Sequence, residues 1–202
     1  MLVNEENRLD KLENIFTSNF DFHTIWLLQK TIIEEFDGSA STQGSLKNLK
    51  TKIGRKNFKL DGDFSANDEF LLHVFHALLK AHDENGKSTL DIATSPPGSL
   101  TQLLLMYFEY RDAVRSGDGI RVLKMLKMLT PLWIGTDKHN YAAESVIFLA
   151  NIYSDWSDMQ VSMAIHQRFA NVSGIPGHYK PLDQLNENIN LNIKEATKGL
   201  GN

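Results

Sequence analysis

The sequence predicts a mainly α-helical protein, a compact multi-helix domain over residues 1–202. Apolar residues recur at steps of three and four, which places them on one face of a helix. No run shows the sustained alternation of apolar and polar residues that is typical of a half-buried strand. Short clusters of Gly, Pro, Ser and Asp separate the periodic runs, so the connections between helices are also expected to be short.

The first two predicted helices follow from their apolar spacing. The first is marked by Ile25, Leu28, Ile32 and Phe36, with Trp26 and Ile33 widening the same face. Residues 37–44 are a loop by composition. The second helix is marked by Leu71, Val74, Phe75, Leu78 and Leu79. Ser65, followed by Asp68 and Glu69, resembles the N-cap of that helix with acids in its first turn.

Two further helices are predicted after breaks at residues 83–86 and 95–98. Their apolar runs are Leu100, Leu103, Leu104, Tyr107 and Phe108, and then Val122, Met125, Leu126, Leu129 and Trp133. The Ser-Gly-Asp-Gly joint at residues 116–119 separates them. Gly117 is expected to end the first helix, and Asp118 is expected to cap the second.

The C-terminal part contains one more apolar run and a final amphipathic helix. The run is Val146, Leu149, Ala150 and Tyr153, and the loop at residues 173–181 follows it with two Gly and two Pro. The last helix has an apolar stripe of Leu182, Leu185, Ile189, Ile193 and Ala196. A polar row lies away from that stripe: Asp183, Glu187, Asn190 and Lys194. This row is either a solvated face or a carboxylate ligand set for a hard divalent ion.

Composition and charge exclude several classes of protein. The 202 residues are 42% apolar and 23% charged, which argues against wholesale disorder. The formal charge of −4 excludes a global polycation. The absence of cysteine excludes disulfides, thiol nucleophiles, iron–sulfur clusters and thiolate zinc sites. The N-terminus lacks a signal-peptide pattern, and the longest apolar run, residues 103–108, is far shorter than the roughly 20 residues that span a bilayer. We therefore expect an intracellular protein without a membrane partner.

One segment concentrates positive charge without any acid. Its six basic residues are Lys47, Lys50, Lys52, Arg55, Lys56 and Lys59. Such a cluster can neutralise the phosphates of DNA. The alternative is a solvated basic face that balances acids elsewhere on an acidic chain. The histidines of residues 73–82 do not converge on one helix face, and no phosphate-binding glycine loop, nucleophile elbow or zinc-binding His-Glu-x-x-His pair is present.

Several blocks of sequence occur in an order that resembles a known family. The early blocks are residues 7–12 (Asn-Arg-Leu-Asp-Lys-Leu), 20–23 (Phe-Asp-Phe-His), 44–49 (Gly-Ser-Leu-Lys-Asn-Leu) and 55–58 (Arg-Lys-Asn-Phe). The later ones are Gly117-Asp118-Gly119, residues 138–144 with Tyr141, Ala142 and Glu144, residues 171–177, and the row Asp183, Glu187, Asn190 and Lys194. Together they resemble, along almost the whole chain, the C-terminal part of the eukaryotic domain of unknown function 6589, whose members occur in transposon-like genes.

The resemblance implies a mechanism through a further analogy. The family layout is similar to a ribonuclease-H-like transposase core interrupted by a helical insertion, in which acids hold two divalent metals for phosphodiester cleavage. It implies that Asp21 and Glu187 are catalytic, metal-binding carboxylates for Mg²⁺ or Mn²⁺. The residues implied to support them are His23, Asp183, Asn190 and Lys194.

The sequence also departs from the family pattern. The upstream Gly-Asp-Gln-x-Thr block that would supply the first acid is absent, Phe20 stands where the family has Gly, Asn188 replaces a His, and Leu191 replaces an Arg. A two-metal site that lacks one acid binds metal poorly.

Three interpretations follow from this incomplete acid set. We expect a transposase-derived helical domain that is catalytically inactive alone, without a cofactor, and that contacts DNA through residues 47–59, in the nucleus rather than the cytoplasm. One alternative is a helical domain that binds a protein partner and no nucleic acid. The other is part of a metal-dependent nuclease completed by missing upstream sequence.

Overall fold

The computed structural model describes residues 21–55, 59–60, 63–84 and 99–198, and it confirms the mainly α-helical class. The helices are α1 (Asp21–Phe36), α2 (Leu46–Lys52), α3 (Phe64–Glu84), α4 (Leu100–Ser116), α5 (Gly119–Gly135), α6 (His139–Ala150), α7 (Asp158–His166) and α8 (Leu182–Thr197). A π-helical turn (Asn151–Asp155) follows α6, and two short strands precede α8: β1 (Phe169–Ala170) and β2 (Lys180–Pro181).

Helix α4 is the centre of the packing. It contacts α1, α3 and α5, and its tyrosines Tyr107 and Tyr110 are fully buried. Trp133 of α5 is also fully buried. The apolar runs predicted for α3, α4 and α5 are the faces that build this core, because the 3.6-residue period sets which side chains face inward.

Outside the last helix, four residues predicted on apolar helix faces are exposed in the structure, so their predicted burial was wrong. Trp26 is 50% exposed on the outer side of α1. Val146, Ala150 and Tyr153 are also exposed. The buried face of this region is formed by Ala142, Ser145, Phe148 and Ile152. Helix α6 has apolar residues on more than one side, and the π-helical turn after it shifts the register of Tyr153, so spacing alone did not identify the inner face.

The predicted apolar stripe of α8 is not buried. The helix exists where it was predicted, but Ile189 and Ile193 are 55% and 56% exposed. Only the first turn of α8 packs closely, and Asp183 is its one buried residue. The remainder of this helix leaves an apolar stripe open on the surface of the described structure.

The helix caps agree with the sequence at one joint and differ at another. Gly117 ends α4 with a φ of 69°, and the Asp118 side chain accepts a hydrogen bond of 3.0 Å from the Arg121 amide, as predicted. A Cβ on Gly119 would lie 1.9 Å from the Ile165 carbonyl oxygen, so only glycine permits this close approach. At α3 the N-terminal cap is Asp63 rather than Ser65, since the Asp63 carboxylate accepts a 2.8 Å hydrogen bond from the Ser65 amide.

The two strands bring the start of α8 back to the start of α1. They pair antiparallel, with Phe169 opposite Pro181 and Ala170 opposite Lys180. The Leu182 amide then donates a 3.1 Å hydrogen bond to the Arg168 carbonyl, which fixes the entry of α8. Within the described ranges, no helix is both long and apolar enough to cross a bilayer.

Candidate functional site

Asp21 lies at the first turn of α1 inside a buried ion pair. Arg168 donates two hydrogen bonds to its carboxylate, 3.0 Å from Nε to Oδ2 and 2.6 Å from Nη2 to Oδ1. The Tyr110 hydroxyl donates a third, 2.7 Å long, to Oδ1. The side chains of Asp21 and Arg168 are each only 3% exposed. The Arg168 guanidinium also lies over the Phe148 ring, 5.1 Å from its centroid.

Burial and charge shift the pKa values of the groups around Asp21. Burial raises the pKa of Tyr110 well above its usual value, and the negative charge of Asp21 raises it further. Burial alone would lower the pKa of Arg168, but its attraction to Asp21 and its hydrogen bonds to that carboxylate outweigh the burial and raise the pKa. The arrangement therefore holds a charged arginine, a charged carboxylate and a neutral tyrosine in the interior.

The contacts of Asp21 occupy both of its carboxylate oxygens. Both carboxylate oxygens accept hydrogen bonds, and the positive charge of Arg168 already neutralises the group. In the part of the chain that the structure describes, no three His, Asp or Glu side chains are grouped so that they could hold a metal ion. The predicted role of Asp21 and Glu187 as ligands of Mg²⁺ or Mn²⁺ stays a prediction.

Asp183 of α8 caps the N-terminus of α1. Its carboxylate accepts hydrogen bonds from the amides of Phe22 at 3.2 Å and His23 at 3.1 Å, and it lies 3.0 Å from Nδ1 of the His23 ring. These amides are among those that an α-helix leaves without an internal partner. A carboxylate there also complements the positive end of the helix dipole. Asp183 therefore links the first and last described helices and orients the His23 ring.

The structure brings some of the predicted site residues together. His23, Asp183 and Glu187 line one cleft of about 580 Å³, together with side chains of α6 that include Tyr141 and Glu144. Asp21 is buried and is not among the residues that line this cleft. Asn190 and Lys194 also do not line it, and they are exposed farther along α8. The cleft contains an oriented imidazole beside two glutamates, so it is an acidic recess rather than a surface for phosphate.

Only part of the basic segment lines a second cleft. Lys47, Lys50 and Lys59 line a cleft of about 590 Å³ between α1, α2 and the start of α3. Lys52 is exposed at the end of α2 and is not part of this lining. Arg55 instead forms a 2.6 Å ion pair with Glu69 of α3, and its hydrogen bond lowers the pKa of Glu69. Lys56 lies outside the described residues.

Sequence reasoning missed three residues of this basic cleft. Lys30 and Trp26 of α1 line it one helical turn apart, and Trp26 presents half of its surface. Asn67 of α3 is almost fully buried at the cleft, and its Oδ1 has no hydrogen-bond partner within the described structure. The i, i+4 spacing of Trp26 and Lys30 could have indicated this pair. It was overlooked because Trp26 was assigned to the buried face of α1.

Ion pairs partly neutralise the basic cleft. Lys47 pairs with Asp37 at 2.5 Å, and Lys30 pairs with Glu34 at 3.6 Å. Glu34 also pairs with Lys138 at 2.9 Å. These pairs are solvent-exposed, and such pairs contribute about 0–1 kcal/mol. Four lysines against two acids leave a net positive cleft around an exposed indole ring.

The fold and these clefts define a mainly α-helical protein. Its first described helix is joined to the residue before β1 by a buried carboxylate–arginine pair, and to the last described helix by a capping carboxylate. The chain belongs to the family of unknown function DUF6589, whose sequence profile matches residues 80–202. The match includes Arg168, Asp183 and Glu187, whereas Asp21 and the basic segment lie before it. No curated protein and no solved structure matches the chain significantly.

Proposed function

We propose that this chain binds DNA through the basic cleft between α1, α2 and α3. The observation that supports the proposal is the position of four lysines, Lys30, Lys47, Lys50 and Lys59, around the exposed ring of Trp26. Lysines contact phosphates, and an exposed aromatic ring can stack on a base, so this combination suits a nucleic-acid strand. Because the lysine–carboxylate pairs in the cleft are exposed and weak, phosphates can replace the carboxylates as partners.

A salt titration of DNA binding tests this proposal. Fluorescence anisotropy of a labelled oligonucleotide would be measured with the full chain and with a Lys47→Ala, Lys50→Ala, Lys59→Ala variant. The matched control is a Lys80→Ala, Lys124→Ala, Lys194→Ala variant, which removes the same charge from exposed positions outside the cleft. We expect the cleft variant to lower the slope of log affinity against log salt by about 2–3, given a slope of roughly 0.9 for each phosphate contact. Equal losses in both variants, or no salt-dependent binding at all, would overturn the proposal.

The proposal includes the catalytic inactivity of the chain on its own. Its support is the commitment of both Asp21 oxygens to Arg168 and Tyr110, which leaves the implied pair of carboxylates without one member. A transposase origin remains part of the proposal, as does a nuclear location. Cleavage of DNA by this chain with Mg²⁺ or Mn²⁺, lost in Glu187→Ala, would favour the nuclease alternative instead.

The exposed stripe of α8 favours a second candidate function, protein association. Leu182, Ile189 and Ile193 are exposed, and their spacing of seven and four residues places them along one seam of the helix. Two copies of this seam can pack against each other, since exposed apolar stripes of this kind mark interaction surfaces. Analytical ultracentrifugation of the chain and of an Ile189→Lys, Ile193→Lys variant tests this candidate. A concentration-dependent dimer that the variant abolishes would support it, and a monomer at every concentration would exclude it.

A further inference from the structure

A third cavity, of about 290 Å³, lies between α1, α4 and the segment that leads into β2. Its polar lining includes three basic side chains, Arg111 and Arg115 of α4 and Lys180 of β2, together with His178 and Gln184. No carboxylate side chain lines it. Its remaining wall is largely apolar and includes Phe22, Phe64 and Tyr179.

The two arginines that line this cavity differ from each other in their pairing. Four of the arginines within the described ranges are held by carboxylates: Arg55, Arg111, Arg121 and Arg168. Arg115 has no such partner among the described residues, and the same holds for His178 and Lys180. On a chain with more acids than bases, a cavity lined by Arg111, Arg115 and Lys180 and by no carboxylate is a local excess of positive charge that attracts an anion.

Arg111 is fixed in position at the edge of the cavity. It forms an ion pair with Asp68, and its guanidinium lies 5.6 Å from the ring centroids of both Tyr107 and Phe108. Asp68 is held in turn by a 2.8 Å hydrogen bond from the Tyr107 hydroxyl. A guanidinium has five N–H donors, so Arg111 can serve Asp68 and a second anion at once.

The opposite wall is also held in place by the backbone. The Tyr179 amide donates a 3.1 Å hydrogen bond to the Arg115 carbonyl, which ties the segment before β2 to the end of α4. The Tyr179 ring lies against Gly117, where an added Cβ would come within 2.9 Å of the ring. The cavity is therefore built from two elements that are hydrogen-bonded to each other.

We propose that this cavity binds a phosphate monoester whose organic part is aromatic. The arginines and Lys180 bind the phosphate dianion, for which guanidinium groups are well suited. The rings of Phe22 and Phe64, whose centroids are 5.6 Å apart, contact the aromatic part. A free mononucleotide and a 5′-phosphorylated strand end share this chemistry. The proposal does not depend on DNA binding by the basic cleft, although Phe64 lines both cavities.

Calorimetry with phenyl phosphate tests the proposal on the full chain. We expect saturable binding of phenyl phosphate, weaker binding of inorganic phosphate and no binding of phenol. Arg115→Gln should weaken phenyl phosphate binding at least tenfold, because it removes a cation while leaving the backbone contact to Tyr179. Lys124→Gln, an exposed position on α5 outside the cavity, is the matched control and should change the affinity less than twofold. Absence of saturable binding, or an equal loss in both variants, would overturn the proposal.

Two further measurements identify the source of the phosphate group and test whether the cavity binds it independently of the basic cleft. Adenosine monophosphate competing with phenyl phosphate indicates a free nucleotide. Competition by a 5′-phosphorylated oligonucleotide but not by its 5′-hydroxyl twin indicates a strand end, and failure of every phosphate monoester to compete overturns the proposal. The Lys47→Ala, Lys50→Ala, Lys59→Ala variant should retain its full affinity for phenyl phosphate, which distinguishes failure of the cavity from failure of the cleft.

Discussion

Asp21 and Arg168 form an ion pair whose energetic effect depends on its burial. Removing Arg168 alone would leave the Asp21 carboxylate buried, hydrogen-bonded to the Tyr110 hydroxyl but without the positive charge that compensates it. Breaking one side of a buried pair commonly costs about 3–5 kcal/mol, because the remaining charge is uncompensated. The pair joins the first turn of α1 to the residue before β1, so its loss affects contacts far apart in sequence.

We predict that Arg168→Met lowers the free energy of unfolding by about 3–5 kcal/mol. Arg121→Met is the control, since Arg121 pairs with Glu109 and Asp112 at the surface, where such pairs contribute about 0–1 kcal/mol. Urea unfolding followed by circular dichroism measures both. Similar small losses in the two variants would show that Asp21 is not held as a charged group in the interior.

The family resemblance selected Asp21 as a site residue, but the sequence could not show which residues it contacts. Its partner Arg168 is 147 residues away, and no local spacing links the two. Spacing was also insufficient at Trp26. Its position on the helix predicted a core residue, although half of its surface is exposed. Residue type and spacing predicted where side chains lie on a helix, whereas their partners depended on how the helices pack.

Helix α1 depends on another helix for its N-terminal cap. Without Asp183, the amides of Phe22 and His23 would lie at a partly buried helix end. Helix α1 itself supplies no acceptor for the amides of its first turn. This explains why Asp183 is the one buried residue of α8, while the polar residues one or more turns later are exposed.

We predict that Asp183→Ala lowers the free energy of unfolding by about 1–2 kcal/mol, the range for loss of a helix N-cap. Glu187→Ala, four residues later on the same helix but exposed, should change it by less than about 0.5 kcal/mol. Hydrogen exchange should accelerate at the amides of Phe22 and His23 in the Asp183 variant alone. Unchanged exchange there would contradict the capping role.

The helices that the sequence predicted best have one clear apolar side. In α3, α4 and α5 the periodic run is also the buried face, so pattern and packing agree. In α6 apolar residues lie on several sides, and in α8 most of the apolar stripe is exposed. The basic cleft could be predicted only in part, because Lys30 and Trp26 reach it from α1, and only the packing of α1 against α2 and α3 brings them beside the basic segment.

The protein as a whole buries two tyrosine hydroxyls, and this determines how its stability depends on alkaline pH. Burial raises the pKa of Tyr107 and Tyr110 above the usual value of about 10, and nearby Asp68 and Asp21 raise them further. The unfolded chain keeps the usual value. A pKa that is higher in the folded state contributes stability that is fully present below about pH 10 and is lost as the pH rises, because only the unfolded chain releases the protons there.

We therefore predict that the free energy of unfolding falls steeply above about pH 10, with each of the two tyrosines contributing about 1.4 kcal/mol per pH unit. A Tyr107→Phe, Tyr110→Phe variant cannot ionise at these positions, so its stability should decline less steeply by about 2–3 kcal/mol per pH unit, whatever its stability at neutral pH. Urea unfolding of both proteins at pH 9.0, 10.0 and 11.0 measures the two slopes, and lysine deprotonation affects both proteins alike. Parallel declines would show that these hydroxyls are not buried in the folded protein in solution. A flatter curve for the variant would establish that Tyr107 and Tyr110 remain protonated inside the helical core, where Tyr110 contributes its hydrogen bond to Asp21.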